Sequence, residues 1–448
     1  MIKLTKSEKY DPNYLCKVIK INVIKEHSNA EKLVCIDVDG NNIITSKGVE
    51  KGDVYVYFPP ESKINAEYLS LTNSFRDSEL NFDKNKTGFF EKNCRVKTMM
   101  LRGEPSQGYI VPISTFNEFI SDKPSDFSKW QQLESEINTE FDTIDGKLLV
   151  EKYVVKRSNT PGAPGSKARD AKNKLLIPGQ FKFHNKTTHL AKFHHLIKPN
   201  DIISITDKMH GTSFVAARVL VNKKLSLVSK IASWFGAEIE TTEYQHIASS
   251  RTVIRGLGQT SDNYYHSTNP HLRAAQLVHP YLYKGETVYG EIVGFEVDGK
   301  GIQKGYDYGC KNKEFEVLIY RITQTNVDGE IVELSMNSIQ ERALELGVQA
   351  VPLIYYGPAK GFLTENDPAW DECDFSKVLL EKLNKEYVEI GNCKYCKNKV
   401  PSEGIVLRVE KLNPVAYKLK QLSFIMHESK LVDKGEVNIE DEVEEDVV

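Results

Sequence analysis

The residue of this sequence best suited to covalent chemistry is Lys208, within the segment ISITDKMHGTSFVAARV of residues 203–219. A strand-like apolar run leads into Lys208, a turn with Gly211 follows, and a second apolar run begins directly afterwards. A lysine at such a junction can present its amine to a cleft, where the deprotonated amine is a nucleophile. Taken alone, a lysine beside a glycine turn is more often a solvated surface residue, so the motif needs support from elsewhere in the chain.

Two glutamates further along the chain could bind a divalent metal ion. Glu291 lies inside the otherwise apolar run TVYGEIVG, and Glu403 precedes a glycine and the apolar run of VPSEGIVLRVE. Carboxylate oxygens are ligands that Mg²⁺ prefers. Each glutamate, taken singly, also fits the exposed edge of a sheet.

Two lysines near the carboxy-terminal end could bind phosphate. Lys418 and Lys420 lie in AYKLKQLSF, and because they are two residues apart, their side chains should point to the same face of a strand. Ammonium groups on one face offer charge-assisted donors to phosphate oxygens. The alternative for such a pair is a solvated strand face.

The order of these motifs is more informative than any one of them. Lys-x-x-Gly, Gly-Glu, Glu-Gly-Ile-Val and Lys-x-Lys follow one another in a way that resembles the covalent nucleotidyltransferase superfamily of ligases and capping enzymes. SSRTVIR, residues 249–255, resembles the Ser-Arg element that follows the nucleophile strand, and FEVLIYRI, residues 315–322, resembles the segment that supplies an aromatic ring to the purine. The carboxy-terminal segment resembles that of the RNA ligases whose lysine motif reads KMHG rather than KxDG.

This resemblance implies an ATP-dependent RNA ligase that joins 5′-phosphate and 3′-hydroxyl ends, with a role in RNA repair. Lys208 would form lysyl–AMP from ATP, the AMP would pass to the 5′-phosphate, and the 3′-hydroxyl would then displace it. The resemblance assigns Mg²⁺ or Mn²⁺ to Glu291 and Glu403, and the α-phosphate to Lys418 and Lys420. The residues that it assigns to the nucleotide site are His210, Gly211, Ser213, Arg251, Glu291, Tyr320, Lys418 and Lys420.

Two positions depart from the superfamily pattern. His210 stands where most ligases carry Asp, and a neutral imidazole cannot supply the negative charge of that side chain. Arg321 follows Tyr320 where the superfamily usually has Asp after an aromatic residue, which leaves Phe315 as an alternative purine-stacking residue.

The elements that must position these residues suggest two domains. Residues 180–435, in which strands alternate with helical stretches such as NSIQERALELG, indicate an α+β nucleotidyltransferase domain. Residues 1–156 read as short strands, with a turn at Asp39-Gly40-Asn41-Asn42 and another Gly/Pro/Ser turn between two strands of residues 94–113. HSNAEKL, GVEKGDVYVYFPPES and RVKTMMLRGEPSQGYIVP resemble the OB-like domain that precedes the catalytic domain in one RNA ligase family. Residues 157–179, rich in Pro, Gly, Ser and Lys, indicate a linker.

The composition of the chain limits its class. Its 448 residues carry a net charge of −3, but residues 436–448 hold seven acidic side chains and no basic one, so residues 1–435 have a net charge of +4. A mildly basic body with an acidic tail permits a nucleic-acid partner, although such a tail is usually only a solvated segment. No long apolar run or signal peptide is visible. We therefore expect no membrane association and a cytoplasmic monomer, or a nuclear one in a eukaryote, that acts on RNA or an RNA-containing duplex.

The cysteines suggest one candidate zinc site. Seven scattered cysteines do not suggest a disulfide framework. Cys393 and Cys396 form a C-x-x-C motif, and Cys373 precedes them, but a structural zinc ion needs four ligands and a fourth, such as Cys310, is only a guess. A turn with two reduced thiols is the favoured interpretation.

Three other functions fit parts of the pattern. DNA ligases and capping guanylyltransferases commonly carry their OB domain after the catalytic domain, whereas here only a short segment follows Lys420. A noncatalytic RNA-binding protein on a ligase scaffold would not need to retain Lys208, Glu291, Glu403 and both carboxy-terminal lysines. Formation of a labelled AMP adduct would separate these alternatives.

Overall fold

The amino-terminal part of the chain consists mainly of short strands. The computed structural model describes residues 2–120, 130–154, 175–184, 187–257, 269–364, 367, 375–388 and 391–434. The first strands are β1 (Leu4–Thr5), β2 (Cys16–Lys20), β3 (Ile24–Glu26), β4 (Leu33–Val38), β5 (Asn41–Ser46), β6 (Val54–Phe58), β7 (Ser62–Ile64), β8 (Thr98–Leu101), β9 (Glu104–Gln107), β10 (Tyr109–Pro112), β11 (Glu140–Phe141), β12 (Thr143–Ile144), β13 (Lys147–Leu148) and β14 (Val150–Lys152). Helices α1 (Ala66–Leu71) and α2 (Asn117–Ile120) accompany them.

These strands form several small sheets. The orders are β10-β6-β2-β11, β3-β4-β5, β1-β12-β13, β8-β9 and β14-β7. Aromatic side chains fill the main core between them, and Tyr68, Phe58, Phe116 and Phe141 are fully buried. The expectation of a β-rich amino-terminal domain agrees with this arrangement, while its assignment as OB-like stays a prediction.

Two hairpins in this region have two-residue turns. Val38 pairs with Asn41, and Asp39 and Gly40 have φ of 51° and 78°. Leu101 pairs with Glu104, and Arg102 and Gly103 have φ of 51° and 94°. Positive φ at both turn residues matches the right-handed twist of the flanking strands.

The second of these hairpins corrects the sequence interpretation. The Gly/Pro/Ser run was expected to form a turn between two strands, but Pro105 and Ser106 lie in β9. Arg102 and Gly103 make the turn instead, and β8-β9 is a two-stranded sheet in which Pro105 can occupy an edge.

The amino-terminal unit also includes residues from the far end of the sequence. The chain divides into Met1–Val154 with Ile425–Asp433, and Val155–Phe424 with the remainder. Within the first unit, buried Arg95 donates from Nε to Glu61 at 2.7 Å, from Nη2 to Ser429 at 3.0 Å and from Nη1 to Asp433 at 3.2 Å. One guanidinium thus joins residues that are more than 330 positions apart in sequence.

The second unit contains two larger sheets. Its strands are β15 (Thr188–His189), β16 (Ile202–Asp207), β17 (Thr212–Asn222), β18 (Thr242–Ser249), β19 (Ile254–Leu257), β20 (Glu286–Gly294), β21 (Phe315–Thr325), β22 (Ile331–Glu333), β23 (Gln349–Ala350), β24 (Leu353–Pro358), β25 (Gly404–Val409) and β26 (Val415–Lys420). Its helices are α3 (Leu190–Phe193), α4 (Leu227–Trp234), α5 (Pro270–Val278), α6 (Met336–Glu345) and α7 (Phe375–Leu383), and α8 (Leu422–Asp433) spans the division between the units.

Each large sheet has its own core. One sheet has the order β15-β26-β25-β16-β24, and the other has the order β19-β18-β17-β20-β21-β22 with β23 beside β21. Buried apolar residues of α3 and α7 pack against the first sheet, and those of α5 and α6 pack against the second. This mixed architecture agrees with the expected α+β domain, and α6 confirms the helix predicted at NSIQERALELG.

The described end of the segment interpreted as a linker belongs to this second unit. Leu175 accepts a hydrogen bond from the Asn222 backbone, and Leu176 pairs with Val221. The rest of that segment, residues 157–174, and the acidic tail, residues 436–448, lie outside the described residues. Within the described part of the chain, none of the helices has the length and apolar character that a membrane crossing needs.

Candidate active site

Lys208 lies where the chain crosses from one large sheet to the other. β16 of the five-stranded sheet ends at Asp207, and β17 of the neighbouring sheet begins at Thr212. The Lys208 backbone N–H donates to the Gly404 carbonyl at 2.9 Å, so β25 supports the crossing turn. The strand–turn–strand position expected for this lysine is confirmed.

The Lys208 side chain forms an ion pair with Glu403. Lys208 Nζ lies 2.5 Å from Glu403 Oε1, and Lys420 Nζ lies 3.5 Å from the same oxygen. His210 Nδ1 is 3.9 Å from Glu403 Oε2. Burial raises the pKa of Glu403, but the positive charges of Lys208 and Lys420 outweigh burial and lower it to about 2. Glu403 is therefore an ionised, buried carboxylate between two ammonium groups.

Two glycines allow the close approach of backbone on which this pairing depends. A Cβ on Gly211 would lie 2.4 Å from the Ile292 carbonyl oxygen, so no larger residue fits without displacing β20. Gly404 has φ of 125°, and a Cβ there would lie 2.1 Å from the Leu419 carbonyl oxygen. Glycine therefore suits both positions for steric reasons.

Ser213 and Glu291 face each other on the second sheet. They are direct partners in the β17–β20 pairing, and Ser213 Oγ is 3.4 Å from Glu291 Oε1. The two expected metal-binding carboxylates thus belong to different sheets, with Glu291 on β20 and Glu403 directly before β25.

Lys418 and Lys420 occupy alternate positions of β26, as the two-residue spacing predicted. Lys418 pairs with Val406 of β25 and with His189 of β15. Burial and the charges of Lys418 and Lys420 lower the pKa of His189 well below its ordinary value. A neutral imidazole beside two ammonium groups adds no further positive charge to this phosphate-binding candidate.

The aromatic residue Tyr320 lies close to the turn after Lys208. The pairing of β20 with β21 shifts at this residue, which is a β-bulge, and bulges re-aim side chains. The Tyr320 ring packs against a buried cluster that contains Met209, and its hydroxyl is 2.7 Å from His184 Nδ1. Burial, followed by the charges of Arg251 and Lys208, lowers the pKa of His184 to about 3.

The charges of Arg251, Lys208 and Lys418 all contribute to lowering the pKa of His184, so three residues chosen from separate motifs act electrostatically on one imidazole. The alternative aromatic residue, Phe315, packs instead against the core of the second sheet, with the Arg273 guanidinium 4.8 Å from its ring centroid.

Residues remote in sequence hold the turn after Lys208 in place. The His210 backbone N–H donates to the Tyr308 hydroxyl at 2.7 Å, and Gln303 Nε2 donates to the Gly211 carbonyl at 2.6 Å. The His210 ring meets Tyr306 and Phe424 edge-on, each with ring centroids 4.8 Å apart. Sequence reasoning missed these supporting residues because they follow no motif or periodicity.

The C-x-x-C motif forms a narrow loop beside the same turn. Cys393 N–H donates to the Val400 carbonyl at 2.7 Å, and a hydrogen bond from the Cys396 thiol helps to lower the pKa of Cys393 to about 7. Within the described ranges there is no group of three or more His, Cys, Asp or Glu side chains arranged to hold a metal ion. Cys373 lies outside the described residues.

Known proteins resemble both the sequence and the fold of this chain. Residues 201–420 match the RNA ligase family. No curated protein matches the chain in sequence. Among solved structures, a Naegleria gruberi RNA ligase mutant with ATP and Mn superposes with a TM-score of 0.55 at 17% identity, over 92% of this chain and 99% of that one.

Two further structures of the Naegleria gruberi protein give the same result. A different mutant with ATP and Mn has a TM-score of 0.53 at 16% identity, covering 93% of this chain and 99% of the other. The RNA ligase with pyrophosphate has a TM-score of 0.54 at 17% identity, with the same coverage. At this level of identity the likeness establishes a shared fold. Residues 201–420 are thus similar in sequence to the RNA ligase family, and the chain is similar in fold to a solved RNA ligase.

Proposed function

We propose that this protein is an ATP-dependent RNA ligase that joins 5′-phosphate and 3′-hydroxyl ends through lysyl–AMP and adenylated-RNA intermediates. The observation that carries the proposal is the ion pair between Lys208 and buried Glu403, with Lys420 on the same carboxylate oxygen. A lysine presented at a sheet crossing, beside fixed charges and an aromatic ring, has the surroundings that a nucleotidyl transfer requires.

In the first transfer, Lys208 Nζ loses its proton and attacks the α-phosphate of ATP, and pyrophosphate leaves. Lys418 and Lys420 stabilise the negative charge that accumulates on the phosphoryl oxygens. Tyr320 stacks on the purine, and Arg251 and Ser213 contact the nucleotide or the 5′-phosphate end. The backbone of Gly211 and the side chain of His210 line the sugar side of the cleft.

The second and third transfers use the same groups. The 5′-phosphate of the RNA attacks the AMP phosphorus and releases the Lys208 amine, and the 3′-hydroxyl then attacks the activated phosphate and releases AMP. Holding AMP on the protein divides one difficult condensation into separate substitutions at phosphorus.

The carboxylates fit a divalent cation. Mg²⁺ and Mn²⁺ prefer oxygen ligands, and one or two carboxylates together with substrate phosphates are a usual donor set for Mg²⁺. Glu403 is ionised, with a pKa of about 2, and Glu291 lies across from Ser213 on the neighbouring sheet. Such a cation would neutralise phosphate charge when bound.

The Naegleria gruberi RNA ligase, whose fold this chain shares, has been solved with ATP and Mn and with pyrophosphate, which supports the same ligands here. We further propose that the amino-terminal unit is an OB-like domain that binds RNA, and that the protein acts in RNA repair as a monomer. The described cysteines are all free thiols, which fits the cytoplasm or, in a eukaryote, the nucleus.

The decisive experiment is incubation of the purified protein with α-labelled ATP and Mg²⁺, followed by denaturing electrophoresis. We expect a labelled adduct that is absent from folded Lys208→Ala and that pyrophosphate reverses. No labelling of the wild-type protein would favour a noncatalytic RNA-binding protein, and labelling from GTP alone would favour a capping enzyme.

The remaining alternative is an ATP-dependent DNA ligase. Nicked duplexes that differ only in ribose or deoxyribose at the 3′-hydroxyl end distinguish it. Faster sealing of the ribose-terminated nick supports the RNA ligase, whereas equal sealing would indicate a DNA ligase.

A further inference from the structure

Two loops of the catalytic unit contain the same four-residue sequence. Cys-Lys-Asn-Lys occurs at residues 310–313 and again at residues 396–399. We call residues 299–313 the first lysine loop and residues 391–401 the second lysine loop. Together they contain seven lysines and a single acidic residue, Asp307.

The exposed charged side chains of these loops are lysines. The exposed lysines include Lys304, Lys311, Lys313, Lys394, Lys397 and Lys399. Asp307 is buried, and its carboxylate accepts backbone N–H groups from Gly309 at 2.8 Å and from Lys397 at 3.1 Å. The one negative charge within the loops is therefore directed to backbone amides, and the exposed charged side chains of the loops are lysines.

The same contacts fasten the loops to each other. Asp307 of the first lysine loop bonds the Lys397 backbone of the second, and Asn398 Nδ2 returns a bond to the Gly305 carbonyl at 2.9 Å. Tyr306 donates its hydroxyl proton to the Pro401 carbonyl at 2.8 Å. The lysines thus project from one connected support.

The two lysine loops also contact the turn after Lys208. From the first loop, the Tyr308 hydroxyl accepts the His210 N–H and Gln303 donates to the Gly211 carbonyl. From the second loop, Lys394 Nζ lies 3.0 Å from Asp207 Oδ2. The first lysine loop therefore contacts residues that follow Lys208, and the second contacts the residue that precedes it.

We propose that the exposed lysines of the two lysine loops bind the phosphate backbone of the RNA beside its reacting ends. This inference rests on the proposed function, because it assumes a polynucleotide at Lys208. Lysine is a compact charge on a flexible stem, which suits contacts to phosphates that fix position without reading sequence. A misplacement of about 1 Å can slow a reaction on the order of a hundredfold, so backbone contacts next to the nucleophile would serve alignment.

The position of the lysine loops favours RNA over other polyanions as their ligand. An acidic protein or an anionic membrane would also be attracted to these lysines, but neither has to approach Lys208 for the proposed reaction. The ends of an RNA substrate must come to the turn after Lys208.

The test compares RNA affinity at several salt concentrations. The variant carries Lys311→Gln, Lys313→Gln, Lys397→Gln and Lys399→Gln, and the probe is a fluorescent single-stranded RNA with a 5′-phosphate. Each phosphate contact contributes about 0.7 to the slope of log K against log salt, so loss of four contacts should lower the slope by up to about 3. The matched control, with the same change in charge, replaces the exposed lysines 198, 360, 377 and 411 by Gln.

The expected result is a lower slope and weaker binding for the loop variant than for the control, with recovery when the same four lysines are changed to Arg. Equal binding by the two Gln variants, with both unfolding at the wild-type temperature, would overturn the inference. So would a loop variant that loses binding to phosphatidylserine vesicles while its RNA affinity matches that of the control. Because this test measures binding and not labelling by ATP, its failure is distinct from failure of the proposed function.

Discussion

Lys208 Nζ and Lys420 Nζ lie 2.5 Å and 3.5 Å from the same oxygen of Glu403, although these residues come from three separate strand ends. Two ammonium groups around one buried carboxylate leave the Lys208 amine paired in this structure. ATP phosphates that enter the cleft would compete for Lys420, and a cation on Glu403 would compete for the carboxylate.

Changing Glu403 to Gln should therefore slow adenylylation of the protein. A neutral amide can neither pair with the two lysines nor ligate a cation, and loss of one fixed electrostatic group in an active site commonly costs about 10²–10³-fold in rate. The rate is measured by quenched incubation with labelled ATP. Exposed Glu341 provides the control, since Glu341→Gln should label at the wild-type rate. A Glu403→Gln rate within twofold of wild type would contradict the role given to this carboxylate.

The same carboxylate should affect stability in acid. Its pKa falls from an ordinary 4.5 to about 2 in the folded protein. A carboxyl group with a lowered pKa stabilises the fold above the pKa of the unfolded chain, and this contribution disappears as the pH drops through the folded value. We expect it to be on the order of 3 kcal/mol.

Urea unfolding of wild type and Glu403→Gln at several pH values checks this expectation. The difference in unfolding free energy between the two proteins should be largest above pH 4.5 and should shrink as the pH falls toward 2. A difference that is constant across this window would show that the charge of Glu403 does not contribute to folding.

Removing the Tyr308 hydroxyl should destabilise the turn after Lys208. The hydroxyl accepts the His210 N–H at 2.7 Å, and Tyr308→Phe leaves that backbone donor without this acceptor. We expect a loss of about 1–3 kcal/mol in unfolding free energy, together with slower adenylylation because Lys208 is less well positioned. Tyr281→Phe, at an exposed tyrosine, is the control, and equal stability of the two variants would refute the prediction.

Gly211→Ala should be far more damaging than alanine at an open glycine. Its new Cβ would lie 2.4 Å from the Ile292 carbonyl oxygen, whereas a Cβ on Gly391 would have no heavy atom within 4 Å. Displacement of the turn from β20 should abolish labelling by ATP and lower the thermal unfolding temperature. Gly391→Ala should leave both unchanged, and a labelled, wild-type-like Gly211→Ala protein would exclude the steric argument.

The sequence predicts the charged residues of the candidate site better than the residues that support them. Lys208, Glu403 and Lys420 were found because their order along the chain matches a family pattern. In the structure, both lysines pair with the Glu403 carboxylate. Tyr308 and Gln303 could not be found in this way, since they act from an irregular loop nearly a hundred residues after the turn that they hold. Such contacts depend on tertiary packing, which no local pattern encodes.

Turn positions show a similar limit. The Asp39-Gly40 hairpin was recognisable because both residues tolerate positive φ. In the later hairpin, Arg102 takes the same conformation, and Pro105, usually a sign of a turn, lies in a strand. The constraint there comes from pairing between β8 and β9 and not from residue preference.

The anchoring of Arg95 by Ser429 and Asp433 has a consequence for biosynthesis. The amino-terminal unit takes its last residues, Ile425–Asp433, from beyond the whole catalytic segment. A ribosome makes this unit's strands first, but its final contacts can form only after residue 433 has left the exit tunnel. In the finished protein the Arg95 guanidinium binds Glu61, Ser429 and Asp433. Until residue 433 is made, Glu61 is the one of these three partners that has been synthesised. Folding of the amino-terminal unit therefore cannot be complete before residue 433 has been synthesised, although its synthesis begins first.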